Sequence, residues 1–139
     1  HAQRHLGLQF EKRFTKKTYI ARVAGRLEPK KGEVDLPLIV DWPNRPRQMV
    51  CYEHGRQAVS EWRVLEKREN QTLIQFHPIT GRTHQLRVHA AHADGLGASI
   101  HGDDLYGNAG DRLYLHAAEI TLTHPITKEE VTFKAPVTW

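Results

Sequence analysis

A strand-like run, Thr72 to His77, leads straight into His77-Pro78-Ile79-Thr80-Gly81-Arg82-Thr83-His84-Gln85-Leu86-Arg87-Val88-His89, and this junction constrains the fold more than any other stretch. Pro78 and Gly81 interrupt the strand, Thr83 is a good helix N-cap residue, and the residues that follow have helical spacing. The chain must therefore build a strand-to-helix turn. Two arginines and three histidines crowd around it. A turn that gathers cations beside exposed amide donors is suited to receive an anion.

The spacing predicts a helix from Thr83 to Ala93, ended by Asp94-Gly95. Leu86, Ala90 and Ala93 form its apolar stripe, while His84, Gln85, Arg87 and His92 fall on the other faces. Arg82 sits where the helix macrodipole is positive, which suits a carboxylate or phosphate partner. Taken separately, Arg87 and His92 read as solvated charges on a surface helix.

Elsewhere, periodicity and punctuation set the organisation. Leu6, Phe10 and Phe14 recur at helical spacing, then Thr18 to Val23 alternates as a strand, so helix gives way to strand near Lys17. Gly25 to Gly32 is a charged turn, and Glu33 to Val40 a short strand region interrupted by Pro37. Asp41-Trp42-Pro43-Asn44-Arg45-Pro46-Arg47 is a stiff, exposed basic loop, because its two prolines fix φ. Val59 to Glu66 and Thr72 to His77 read as a strand pair around Arg68-Glu69-Asn70. Tyr114 to Leu122 and Glu130 to Phe133 flank the turn His124-Pro125-Ile126-Thr127. Many strands, two or three helices and no regular strand–helix alternation predict an α+β fold, with a mixed, largely antiparallel sheet and a few flanking helices.

The 139 residues suffice for one ordinary domain or part of one. A net charge of +4 permits a polyanionic partner without requiring it. Cys51 is the single cysteine, so an internal disulfide is impossible. No apolar run approaches the roughly 20 residues of a membrane-crossing helix. The expectation is a soluble cytoplasmic protein, monomeric and without a membrane partner. The first residues, His-Ala-Gln-Arg-His-Leu-Gly-Leu, resemble the middle of an amphipathic helix, so the chain is expected to begin inside a larger protein.

Ten histidines invite a metal reading. His84 and His89 lie five apart and miss the same-face spacing of a zinc helix, and His89 and His92 share a face without a nearby carboxylate. No metal and no cofactor are expected. Neither a Gly-x-Ser-x-Gly elbow nor a Walker phosphate loop occurs, and Cys51 has no evident base. In Ile100-His101-Gly102-Asp103-Asp104-Leu105-Tyr106-Gly107, the adjacent carboxylates point apart. They read as a turn held by aspartate side-chain hydrogen bonds rather than as an acid/base dyad.

Lys17-Thr18-Tyr19, His77-Pro78 through His89, Gly102-Asp103 through Gly107 and Leu115-His116-Ala117 occur in the same order as in RluA-type pseudouridine synthases, which the chain resembles over nearly its whole length. Asp35-Leu36-Pro37-Leu38 and Asp41-Trp42-Pro43-Asn44-Arg45-Pro46 narrow the resemblance to the member acting on both large-subunit ribosomal RNA and transfer RNA. Such enzymes break the C1′–N1 bond of a uridine in RNA, turn the detached uracil and join its C5 to C1′. Neither an energy source nor a redox cofactor is needed. Their catalytic aspartate lies in a His-Arg-Leu-Asp motif that this sequence lacks. The resemblance thus implies that residues 1–139 are the C-terminal part of a single catalytic domain, inactive alone.

The resemblance also implies roles for individual residues. Arg82 matches the arginine that pairs with the catalytic aspartate. Tyr19 matches the active-site tyrosine, whose ring can stack on a flipped-out uracil and whose hydroxyl is suited to helping proton removal at C5. Leu115 matches the apolar wall of the uracil pocket. Lys17 either contacts phosphate or supports the site. RNA contacts are expected from Arg45, Arg47, Lys16, Lys17 and Arg87, with Trp42 as either a stacking platform or a loop anchor. Other readings are a catalytically silent RNA-binding relative and a metal-dependent hydrolase or structural module. If the basic loop binds phosphate, affinity for RNA falls steeply with salt, and charge reversal at Arg45 and Arg47 flattens that dependence. An unchanged salt slope in the doubly reversed variant would remove the loop from the interface.

Overall fold

The computed structural model describes residues 16–25, 27–123 and 127–139. The helix expected around Leu6, Phe10 and Phe14 and most of the turn at 124–127 lie outside them. Alternation builds the sheet. In β1 (Lys16–Ala24), Ala21 and Val23 are fully buried, and in β6 (Gln71–Pro78) so are Thr72, Ile74 and Phe76. Antiparallel pairing puts these residues opposite one another, Tyr19 against Phe76, Ala21 against Ile74 and Val23 against Thr72, so one face of the pair is continuous core.

Four more strands complete the sheet: β2 (Lys31–Asp35), β5 (Val59–Lys67), β7 (Leu115–Thr123) and β8 (Glu130–Lys134). The order is β2-β5-β6-β1-β7-β8, and every neighbouring pair is antiparallel. A separate hairpin joins β3 (Leu38–Val40) to β4 (Gln48–Val50). The Pro-interrupted region predicted from Glu33 to Val40 is thus two strands in two sheets. Pro37 lacks the amide a continuous strand would donate, and Leu36 and Leu38 turn inward instead, 5% and 3% exposed.

The α+β expectation holds, with a largely antiparallel sheet and one α-helix, α1 (Gln85–Ala91), among the described residues. This helix is shorter than the predicted 83–93. Its N-cap is His84, held in the left-handed region at φ 54°, not Thr83. At the other end, Leu96 and Gly97 amides bond back to His89 and His92, and Gly95 lies so close to the His89 carbonyl that a Cβ there would stand 2.0 Å from it. Ala93 therefore leaves the predicted stripe and is exposed. Leu86 and Ala90 pack on Ala21, Val23, Ile74 and Phe76, with Ala98 and Ile100 closing the cluster. Full burial of one such large side chain contributes roughly 1.5–3 kcal/mol. Val88 points the other way and joins Leu38 and Ala58, which fixes the β3–β4 hairpin to the helix.

Between helix and sheet runs a polar seam. His89 is fully buried, its Nδ1 2.9 Å from Ser60 Oγ and its Nε2 3.0 Å from the Leu36 carbonyl. A carbonyl can only accept, so Nε2 donates to it and the ring is satisfied while neutral. Burial drives the His89 imidazole below its ordinary value, against the opposing pull of the Leu36 hydrogen bond. A group depressed in this way takes up protons in the unfolded chain first. Its stabilising share is complete above the ordinary histidine range near 6.5 and declines as pH falls from there towards the folded value. Urea unfolding should therefore show stability falling from pH 7 to pH 5, with a shallower fall in His89→Gln; equal slopes would contradict this role.

Candidate functional site

One cleft of about 280 Å³ gathers Lys17 and Tyr19 from β1, Leu115 from β7, Arg82 and His84 from the turn, and Arg87 from α1. Five of these residues were expected in the site, and they come from three separate stretches of the chain. Tyr19 shares its face of β1 with Ala21 and Val23 by strand alternation and packs against the cluster they belong to. Beside it the pairing of β1 with β7 shifts register, Thr18 facing Glu119 and Tyr19 facing Ala117, so the extra residue of this bulge lies on β7. Leu115 lies opposite Ala21 on the same pair, one strand away from Tyr19.

Arg82 is held at both its backbone and its side chain. Its amide donates to Gln85 Oε1 at 3.1 Å and its Nε to the Gln57 carbonyl at 2.8 Å. Among the described residues, no carboxylate lies within salt-bridge reach of it. Among the described residues, its outer guanidinium nitrogens make no hydrogen bond or ion pair.

Gln85 supplies the rigidity, and sequence reasoning missed it. The side chain is 3% exposed, not on the polar face expected of it. Its Oε1 accepts from Thr80 Oγ1 at 2.6 Å as well as from Arg82, while its Nε2 donates to the Val59 carbonyl and Ser60 Oγ, both at 2.8 Å. All four hydrogen-bonding positions of the amide are filled, which allows it one orientation. Gln85 and His89 are a helical turn apart and meet on Ser60. The signal was a polar pair at i, i+4 running beside the apolar pair Leu86 and Ala90.

Arg87 corrects the expectation of a solvated charge. Its side chain is 15% exposed and grips the fully buried Asp103 with two hydrogen bonds, Nε to Oδ2 at 3.0 Å and Nη2 to Oδ1 at 2.7 Å, with Asp104 at 3.3 Å. Asp103 Oδ1 also accepts the backbone amides of Leu105 and Tyr106, the side-chain-stabilised turn expected for this segment. Burial would raise the Asp103 carboxyl, but the hydrogen bonds from Arg87, Tyr106 and Leu105 outweigh it and hold it below the usual carboxylate range. The same bond raises Arg87, which stays charged.

The structure does not bring Arg45 and Arg47 into this cleft. Arg45 lies over the ring of Trp42, 3.8 Å from its centroid, and Trp42 is 65% exposed rather than buried as a loop anchor. Arg47 hydrogen-bonds the Leu105 carbonyl and lines a neighbouring groove with Gln48 and Tyr106. The loop carries a short 3-10 turn, Trp42–Asn44. Lys16 is exposed at the start of β1, next to Lys17. Among the described residues, no group of three His, Cys, Asp or Glu side chains is placed to hold a metal.

A family model described as RNA pseudouridylate synthase matches residues 1–92. The dual-specificity RNA pseudouridine synthase RluA of Escherichia coli K12 is 49% identical over 97% of this chain and 63% of its own length. The RluA of Vibrio cholerae is 48% identical over 90% of the chain and 52% of its own. The chain therefore spans less than two thirds of these relatives. Human RNA pseudouridylate synthase domain containing 1 shares the fold, with a TM-score of 0.79 at 24% identity over 96% of this chain and 59% of that one.

Breaking a buried ion pair on one side strands the other charge. Asp103→Asn should cost about 3 kcal/mol in urea unfolding at neutral pH. A loss below about 1 kcal/mol would mean that Arg87 finds another partner and that the pair does not hold the turn.

Proposed function

The chain belongs to the RNA pseudouridylate synthase family, and we propose that the protein of which it forms part isomerises uridine to pseudouridine in RNA. The observation that carries this reading is the convergence of Lys17, Tyr19, Arg82 and Leu115, distant in sequence, on one cleft. The cleft has room for a small ring and has an apolar wall and a cationic edge. The bacterial relatives are named dual-specificity RNA pseudouridine synthases, and the substrate proposed here is large-subunit ribosomal RNA, transfer RNA, or both.

Each residue has a task that its environment permits. The uracil, taken out of the RNA stack, lies between the Tyr19 ring and Leu115. An aspartate from a segment outside this sequence pairs with the free outer nitrogens of Arg82, a charge-assisted contact that keeps the carboxylate ionised and aimed. Cleavage at C1′–N1 releases the base, which turns so that C5 meets C1′. The C5 proton is then lost, within reach of the Tyr19 hydroxyl, and N1 gains one, so the reaction is a pure rearrangement. Lys17 stands at the mouth on β1, and Lys16, Arg45 and Arg47 are proposed to contact phosphate, the latter two from the loop beyond Tyr106.

Kinetics of the full-length protein on a transfer-RNA stem-loop test the central pair. Arg82→Ala should lower kcat by at least about a hundredfold with little change in KM, and Arg82→Lys should recover little, because a point charge cannot reproduce a two-pronged contact. A kcat within a few-fold of the unaltered enzyme would overturn the role of Arg82. RNA binding by the unaltered protein with no pseudouridine formed would make it a silent relative.

A further inference from the structure

His84 stands out because its backbone occupies the left-handed region, φ 54°, where a residue bearing a Cβ is uncommon. Such a conformation persists only when its surroundings impose it. The His84 ring meets Tyr106 edge to face, with centroids 5.7 Å apart, and its Nδ1 lies 2.8 Å from the Tyr106 hydroxyl. That hydroxyl also receives the backbone amide of Gln48, at 2.8 Å.

An amide N–H can only donate, so the phenol oxygen accepts from Gln48. The arrangement that also uses the phenol's own hydrogen directs it at Nδ1, which is then the unprotonated nitrogen, with the proton of a neutral ring on Nε2. Nε2 has no hydrogen-bond partner among the described residues, while the ring lines the cleft that holds Tyr19, Arg82 and Leu115. An imidazolium is disfavoured here: burial, followed by the charge of Arg87, pushes His84 below its ordinary value despite Asp103 and Asp104.

We infer that His84 is a specificity-determining residue, a neutral imidazole fixed by Tyr106 so that its Nε2–H donates to a carbonyl oxygen of the base in the cleft. The inference rests on the reading of that cleft as a uracil site. A neutral donor matches a neutral carbonyl, whereas a phosphate would favour a charged group, the task proposed for Lys16, Arg45 and Arg47. Through Gln48 and Tyr106, the same contacts tie the end of the basic loop to the orientation of the reader.

Two measurements on the full-length protein decide it. Nitrogen NMR of isotopically labelled histidine at pH 7 should show, for His84, an acceptor-type Nδ1 and a protonated Nε2, and Tyr106→Phe should mix the two tautomers. A protonated Nδ1 in the unaltered protein would overturn the inference without any variant having to fold. In the second, stem-loops carry sulfur in place of one base oxygen, as 2-thiouridine or 4-thiouridine, at the target position. Because sulfur accepts weakly, one of the two should lower kcat/KM by about tenfold in the unaltered enzyme, the worth of one neutral hydrogen bond. In His84→Phe, the same replacement should change kcat/KM by less than about twofold. Equal responses of the two proteins to both thio bases would sink the role of His84 alone. No product from the unmodified uridine stem-loop would instead remove the uracil reading, and this inference with it.

Discussion

A carboxylate with no exposed surface, Asp103, is tolerable in this fold only because Arg87 meets it with two hydrogen bonds and two backbone amides fill its remaining capacity. Removing the charges from water is costly, and the pair repays that cost through geometry rather than through attraction alone. Its structural product is the turn over α1. That turn presents the Tyr106 hydroxyl to His84 and Gln48, and the Leu105 carbonyl to Arg47. Without the pair, the wall between the cleft and the basic loop loses the buried contact that anchors it to α1.

The other half of the site belongs to the sheet. β1 lies inside it, bonded to β6 on one side and β7 on the other, so Tyr19 is carried by backbone paired on both edges. Strand alternation sets its ring on the face of Ala21 and Val23. Across from it, Gln85 and His89 meet on Ser60 and tie the helix to β5. Arg82 thus stands on a turn whose hydrogen bonds run into the core.

Local pattern made the strands legible: Thr18 to Val23 alternates, Thr72 to His77 does too, and Arg68-Glu69-Asn70 marks the reversal between two of them. The helix was found but overextended. Its first residue depends on a positive φ at His84, and its end on how closely Gly95 approaches the His89 carbonyl, neither of which has a pattern in sequence. The turn at Asp103 was legible, but its burial against Arg87 was not, and Gln85 was placed off the buried stripe, because both depend on distant partners: Gln85 meets Ser60 across 25 positions, and Asp103 meets Arg87 across 16. The meeting of Tyr19, Arg82 and Leu115 was foreseen through family resemblance; spacing alone could not have shown it.

The central claim is that the cleft of Arg82 and Tyr19 is where uridine is rearranged. Mass-spectrometric mapping of pseudouridine in ribosomal and transfer RNA, from cells lacking the full-length gene, addresses it most directly. The account predicts that specific pseudouridines vanish, return with the intact gene, and stay absent when Arg82→Ala is supplied at equal abundance. An unchanged modification pattern in the deletion, or full restoration by Arg82→Ala, would contradict it.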